Sequence, residues 1–211
     1  QAQAAFRTLG DRYLGAEPGF DATWHVKLGD IGHTWEVRCT THGARVRPSI
    51  TSRKPDVTIG TDAATWLRLR TGELSGIEAF SRRLLYARGN LDLAVGFEGL
   101  FRLPDGRPPL MRIHDVKTSG GSCVSTLTMG SGPDVLLIHG LGGAKSSFFD
   151  TAAALSHSYT VHALDLPGFG SSSKPIVAPY HARWFARQVV DVMDALNIDR
   201  AHFAGNSMGG R

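Results

Sequence analysis

The 211-residue chain has only two cysteines, Cys39 and Cys123, far apart and in no metal-ligand or redox spacing. That pattern excludes a disulfide framework, and a reducing compartment, the cytoplasm, is the expectation. No apolar run approaches the ~18 residues that a membrane-spanning helix needs. Gln1-Ala2-Gln3 has neither the positively charged start nor the apolar stretch of a signal peptide, so none is expected. Methionine is scarce as well, and position 1 is not Met, so the start of this chain is not expected to be the start of the gene. Internal repeats, low-complexity tracts and ligand clusters for a metal are missing, and no metal or other cofactor is expected.

What is present is an ordinary core-forming composition: 42% hydrophobic and 20% charged residues, with mean hydropathy −0.12. A wholly disordered or fibrous chain is excluded. The net charge of +4 is uneven, with 16 Lys+Arg against 12 Asp+Glu in residues 1–113 and 7 against 7 in the remainder. Without a contiguous basic stripe this reads as a solvated face, not a nucleic-acid surface. It leaves room for weak attraction to an anionic membrane surface or a fatty carboxylate.

The clearest punctuation is Pro104-Asp105-Gly106-Arg107-Pro108-Pro109, which can continue neither a helix nor a central strand. A domain of residues 1–103, a linker at 104–110 and a second domain from 111 to 211 are expected. In the first, a helix spans Ala2–Leu14. Short β-rich runs follow at Trp24–Lys27, Trp35–Thr40, Arg45–Ile50 and Val57–Gly60. A helix then starts behind the N-cap Asp62 and ends at Gly72, with further helices at Gly76–Arg83 and Asn90–Phe101 around a strand at Leu84–Arg88. Strands first and helices later indicate an α+β domain. In the second, strands at Arg112–Lys117 and Cys123–Met129 flank a turn at Ser119-Gly120-Gly121. Strand Val135–Ile138, helix Ser147–Leu155, strand Tyr159–Leu164, helix His181–Leu196 and strand Ala201–Ala204 then alternate. That rhythm argues for a parallel sheet covered by helices.

The strongest chemical signal is Gly205-Asn206-Ser207-Met208-Gly209, a G-x-S-x-G directly behind a strand. A serine on a tight strand-to-helix turn needs glycine two positions before and after it, because side chains there would collide. The turn lifts the Ser207 hydroxyl out of the sheet as a candidate nucleophile. There the Met208 N–H and the helix dipole can face a developing oxyanion. His139-Gly140-Leu141-Gly142-Gly143 follows the Val135–Ile138 strand and can bring a second donor, the N–H of Leu141 or alternatively of Gly142. His139 is expected to hold this loop by hydrogen bonds, with Gly140 as a structural partner. Two nucleotide readings of the same glycines fail. A phosphate-binding loop ending at Lys145-Ser146 would need glycine at His139 and Ala144, and a dinucleotide fingerprint would need glycine at Lys145.

On these motifs, residues 111–211 resemble the first half of an α/β-hydrolase. The resemblance is carried by the His139-Gly140 loop, the Asp165-Leu166-Pro167-Gly168-Phe169-Gly170-Ser171 stretch and the Gly205–Gly209 elbow. It implies a mostly parallel, three-layer αβα sheet and a serine hydrolase, esterase- or lipase-like, working through an acyl-enzyme. Asp165 is structural by that analogy, shaping the loop after its strand. Serine at the elbow argues against the dehalogenase and epoxide-hydrolase branches. The family order is Ser, then Asp or Glu, then His, yet nothing after Ser207 is any of these. The chain is therefore expected to be an inactive, truncated piece whose last strand edge and apolar sheet face are bare.

Residues 20–103 resemble the sterol-carrier-protein-2 (SCP2) fold. The resemblance rests on Lys54-Pro55-Asp56-Val57-Thr58-Ile59, Thr71-Gly72-Glu73-Leu74, Ala79-Phe80, Leu84 through Leu91 and the Ala94–Phe101 helix. Arg82-Arg83 departs from it where the family often has glycine. It implies an apolar tunnel for a fatty acyl chain or other small lipophilic ligand, with Trp66, Leu67, Leu69, Phe80, Leu84, Phe97, Leu100 and Phe101 as lining candidates; a packed interior would use the same residues. The expectation for the whole is a lipid-binding domain ahead of a serine hydrolase that acts on a lipophilic ester. The alternative is a lipid carrier whose hydrolase-like half is not catalytic, and acyl transfer by the same elbow is a third use. No nucleic-acid partner is expected, and the oligomeric state is open.

Overall fold

The computed structural model describes residues 1–48, 50 and 54–211, which form two compact units, Gln1–Leu110 and Met111–Arg211. Residues 104–110, read from sequence as a linker, group with the first unit. The Leu103 N–H donates to the Arg107 carbonyl at 2.9 Å, and Leu103 itself is buried.

The first unit is a five-stranded mixed sheet in the order β3-β2-β1-β4-β5, built from β1 (Asp21–Leu28), β2 (His33–Thr40), β3 (Gly43–Arg47), β4 (Val57–Thr61) and β5 (Tyr86–Gly89). β1, β2 and β3 form an antiparallel meander, β4 returns parallel to β1, and β5 closes the far edge antiparallel to β4. Part of the strand expected at Arg45–Ile50, Ser49, lies outside the described residues. The sheet packs against α1 (Ala2–Arg7), α2 (Ala63–Thr71), α3 (Gly76–Ser81) and α4 (Leu91–Gly96). Asp62 caps α2 by accepting from the Thr65 N–H at 2.7 Å, and Gly72 ends it at φ +75°, a left-handed conformation that costs other residues energy.

Three helices are shorter than their sequence pattern predicts, because single turns are tightened locally. The Ala2–Leu14 helix stops at Arg7, and Gly10–Arg12 continues as one 3-10 turn. The Asn90–Phe101 helix stops at Gly96 and resumes as a 3-10 turn over Glu98–Leu100, with Gly96 and Gly99 offering little helical propensity. The helix expected to reach Arg83 stops at Ser81, and Arg83 takes φ +57°. The core gathers Trp24, Val26, Trp35, Val37, Trp66, Leu69, Phe97 and Phe101 around Phe6. The Phe6 ring is sandwiched face to face between Trp35 (4.2 Å) and Trp66 (4.4 Å).

The second unit is also a five-stranded sheet, ordered β10-β8-β9-β7-β6, of β6 (Met111–Lys117), β7 (Cys123–Gly130), β8 (Asp134–Ile138), β9 (Thr160–Leu164) and β10 (Ala201–Gly205). β8, β9 and β10 run parallel, whereas β7 pairs antiparallel with both β9 and β6. The sheet is mixed but mostly parallel: β6, antiparallel to β7, points the same way as β8, β9 and β10, and β7 alone runs against them. α6 (Ala182–Ala195) buries Phe185, Val189 and Val192 against Leu136 of β8. Val135 and Leu137 are also buried, and strand alternation turns them to the opposite face. α5 (Phe149–Leu155) buries Ala152 and Ala153. Its expected start at Ser147 is instead a 3-10 turn over Lys145–Phe148.

Candidate functional site

β10 ends at Gly205, and Ser207–Gly210 form one 3-10 turn. Ser207 takes φ +53°, a left-handed conformation that an L side chain adopts at a cost, and its side chain is exposed. A Cβ at Gly205 would strike the Gly209 carbonyl, and one at Gly209 would strike the carbonyl of Ile138. Both glycines are therefore sterically required for the turn. The Asn206 N–H donates to the Ile138 carbonyl at 3.1 Å, which ties the turn to the end of β8.

The loop after β8 runs beside this turn. A Cβ added at Gly140 would lie 3.0 Å from the Asn206 carbonyl oxygen and 3.1 Å from Ser207 Cβ. Gly142 takes φ +73°, and Leu141 is 79% exposed. Among the described residues the N–H groups of Leu141 and Gly142 donate no hydrogen bond. His139 is buried, and both ring nitrogens are engaged. Nε2 accepts from the Leu166 N–H at 3.0 Å, so Nδ1 carries the proton and donates to the Gly140 carbonyl at 2.7 Å. A histidine bonded in this way holds the loop and has no lone pair left for a proton from Ser207.

Sequence reasoning missed Lys145, which forms a buried ion pair with Asp165 (Nζ to Oδ2 2.6 Å). The Asp165 carboxylate also accepts the N–H of Lys145 (2.5 Å) and of Ser171 (2.9 Å). Gly170 takes φ +49°, and a Cβ there would strike the carboxylate. Asp165 thus knots the loop after β9 to the loop after β8. The lysine that looks like a phosphate-loop residue in sequence is spent on this knot. The edge strand β10 leaves Phe203 58% exposed, and an apolar groove of about 580 Å³ runs between it and α6, lined by Ile138, Phe185, Val189 and Met208. Among the described residues, no group of three or more His, Cys, Asp or Glu could hold a metal. Nor is any helix long and apolar enough to cross a membrane.

In the first unit, Trp66, Leu69, Phe97 and Phe101 are buried in the core. Leu67, Leu84 and Leu100 are half-buried. Phe80 is a correction: it is 46% exposed, because α3 turns Ile77 and Ala79 inward. Sequence reasoning also missed that α2 buries Arg70 beside Trp66 and Leu69. Its guanidinium lies over the rings of Trp66 (5.7 Å) and Phe101 (5.5 Å), and burial pulls its pKa down to about 10. Glu98 is buried nearby, and desolvation pushes its carboxyl up to about 7.

A strand that delivers an exposed, strained serine beside a glycine loop defines the architecture of the α/β-hydrolase class, and the comparisons agree. The family model described as alpha/beta hydrolase fold matches residues 133–211, and that of the SCP-2 sterol transfer family matches residues 18–102. The chain therefore joins an SCP2 domain to part of an α/β-hydrolase fold. It is 36% identical over 104 residues to a fluoroacetate dehalogenase of a Burkholderia species, covering 47% of this chain and 33% of that protein. It is 43% identical over 81 residues to Lipase 3 of Moraxella sp. (strain TA144), covering 38% of this chain and 25% of that protein. A solved structure described as a membrane phospholipase A, a bacterial virulence factor, is 42% identical, with 48% of this chain and 33% of that chain covered and a TM-score of 0.46. The chain spans about a quarter to a third of the length of these curated relatives.

Proposed function

We propose that the protein is a serine hydrolase acting on a lipophilic ester, with Ser207 as nucleophile and the SCP2 domain as the binder of a lipophilic ligand. The observation that carries this reading is the conformation of Ser207: φ +53° on a turn where Gly205 and Gly209 admit no side chain. Strain of this kind persists where a group must be presented in a fixed direction. The likeness to Lipase 3 and the SCP2 match support a lipid-related hydrolase. The dehalogenase relative shares the scaffold, but position 207 is a hydroxyl and not a carboxylate, which favours acyl transfer over halide displacement.

In the reaction, Ser207 Oγ attacks the ester carbonyl and loses its proton to a base, forming a tetrahedral oxyanion. The N–H of Met208 and that of Leu141, with Gly142 as the alternative, stabilise this oxyanion; each such donor is worth roughly 10²–10³ in turnover. Collapse expels the alcohol and leaves an acyl-serine, which water hydrolyses. His139 is committed to the loop and Asp165 to Lys145, so in this reading neither serves as the base or as its carboxylate partner. The test is hydrolysis of p-nitrophenyl acyl esters of increasing chain length by the protein as its native cell produces it. Activity that rises with chain length and falls at least 10³-fold in Ser207→Ala supports the reading; unchanged activity in that variant refutes it. A carrier without hydrolysis would bind the lipids and turn over none of the esters.

A further inference from the structure

The first unit buries a cation that has no hydrogen-bonding partner where it most needs one. Arg70 is 2% exposed, and among the described residues its Nε and Nη2 hydrogens find no acceptor. Trp66 Nε1, one helical turn earlier on the same face of α2, is equally unpartnered, as is Oε1 of buried Glu98. Buried donors are almost always satisfied, and an unpaired guanidinium is among the costliest exceptions. The guanidinium carbon lies over the rings of Trp66 and Phe101, which attract its charge but offer no oxygen to accept its hydrogens. Nε and Nη2 are the two donors of the side-on fork that grips a carboxylate. The same chain shows that fork filled: Arg38 donates from Nε and Nη2 to the two oxygens of Asp21, at 2.8 and 2.5 Å.

We propose that Arg70, with the indole N–H of Trp66, is a buried seat for the carboxylate of a long-chain acid. The inference rests on the lipid-binding reading of this domain and adds which head group it selects. Arg12 adds a second positive charge near Arg70, while Glu98, the facing carboxyl, is anchored through Oε2 to the Gly76 N–H at 2.6 Å and stays off the fork. Its raised pKa makes it neutral through much of the range below pH 7, when its Oε1 side can donate to an incoming oxygen. A single planar fork opposite one carboxyl suits a monoanion; a phosphate dianion would meet Glu98 with twice the repulsion.

The tail's place is the slot between Trp35 and Trp66, held here by Phe6. α1, which carries Phe6, is six residues long, has no side-chain N-cap bond and buries only Ala2 and Phe6. A groove of about 310 Å³ lined by Gln3, Phe6, Arg7, His33 and Trp35 opens onto that ring from outside. An acyl tail thus enters by exchanging with Phe6, and the carboxylate reaches Arg70 behind Trp66.

The experiment titrates the whole chain with dodecanoate and with methyl dodecanoate, reading tryptophan fluorescence and calorimetric heat. The two probes share the tail and differ in charge. The native chain should bind the acid at least ten-fold more tightly than the ester, and Arg70→Met should bring the acid down to the affinity of the ester. Equal affinities in the native chain would overturn the seat and leave lipid binding standing; binding of neither would overturn both. If Arg70→Met keeps the preference for acid, the seat lies elsewhere and the assignment falls. Because methionine replaces an unpaired buried charge, the ligand-free variant should also melt higher than the native chain. A lower melting temperature would show that Arg70 is a structural ion and contradict the proposal.

Discussion

Asp165→Asn tests whether the two loops beside Ser207 are held by one buried charge. The substitution preserves shape but removes the negative charge facing Lys145 Nζ at 2.6 Å. Lys145 is almost fully buried and cannot reach water, so an uncompensated ammonium remains. Breaking a buried pair from one side costs about 3–5 kcal/mol. The amide also places an N–H₂ where the carboxylate accepted the N–H of Lys145 or Ser171, adding a donor–donor clash to the lost charge. A domain the size of Met111–Arg211 melts ~4–8 °C lower per kcal/mol lost, so a fall on the order of 15–30 °C is expected. Differential scanning calorimetry should show this fall in the transition of the second unit, with the transition of the first unit unmoved. Lys145→Met with Asp165→Leu should recover part of the loss, because the charge is gone but the two backbone donors stay unpaired. A cost below about 1 kcal/mol for Asp165→Asn would refute the reasoning, placing the pair among weak surface-like contacts.

Three further outcomes are expected. Gly209→Ala should abolish folding of the second unit, since its Cβ would strike the Ile138 carbonyl, whereas Gly210→Ala, whose nearest neighbour is the Gly205 carbonyl oxygen at 3.4 Å, should fold; solubility and calorimetry compare them. The first unit should lose about 3 kcal/mol as pH rises from 4.5 to 7. The folded pKa of Glu98, about 7, exceeds its unfolded value, so its stabilisation is complete below the unfolded pKa and lost as pH rises through the folded one; Glu98→Gln should flatten that slope in chemical denaturation. Cys39 is fully buried and its thiol is pushed up to about 12, so a disulfide reagent at pH 8 should leave it unmodified until denaturant is added.

Much of the fold was legible because its signals are local. The apolar Val135–Ile138 run, the Asp62 cap, the Gly72 stop and the glycines around Ser207 each state a backbone requirement that neighbouring residues show directly. The position of β7 beside β9 was not legible. It is a pairing between strands more than thirty residues apart, and no local pattern encodes which edge a hairpin takes. Arg70 and Glu98 were invisible for another reason: charged residues read as solvated face, and only the packing of α2 against Phe101 shows them buried. Phe80 erred in the opposite direction, an aromatic in a family-like pattern that the short α3 leaves half in solvent. In the candidate site the motif positions could be read from sequence. The Lys145–Asp165 knot could not, because it joins two loops twenty residues apart through side chains whose burial has no sequence signature.

The account stands or falls on Ser207 as nucleophile. The direct measurement is peptide mass mapping after a fluorophosphonate probe reacts with the native protein, alongside Ser207→Ala. The account predicts one phosphonyl adduct on the peptide carrying Gly205–Gly209, absent in the variant. An adduct on any other serine, or ester hydrolysis that persists with Ser207 unlabelled, would contradict it.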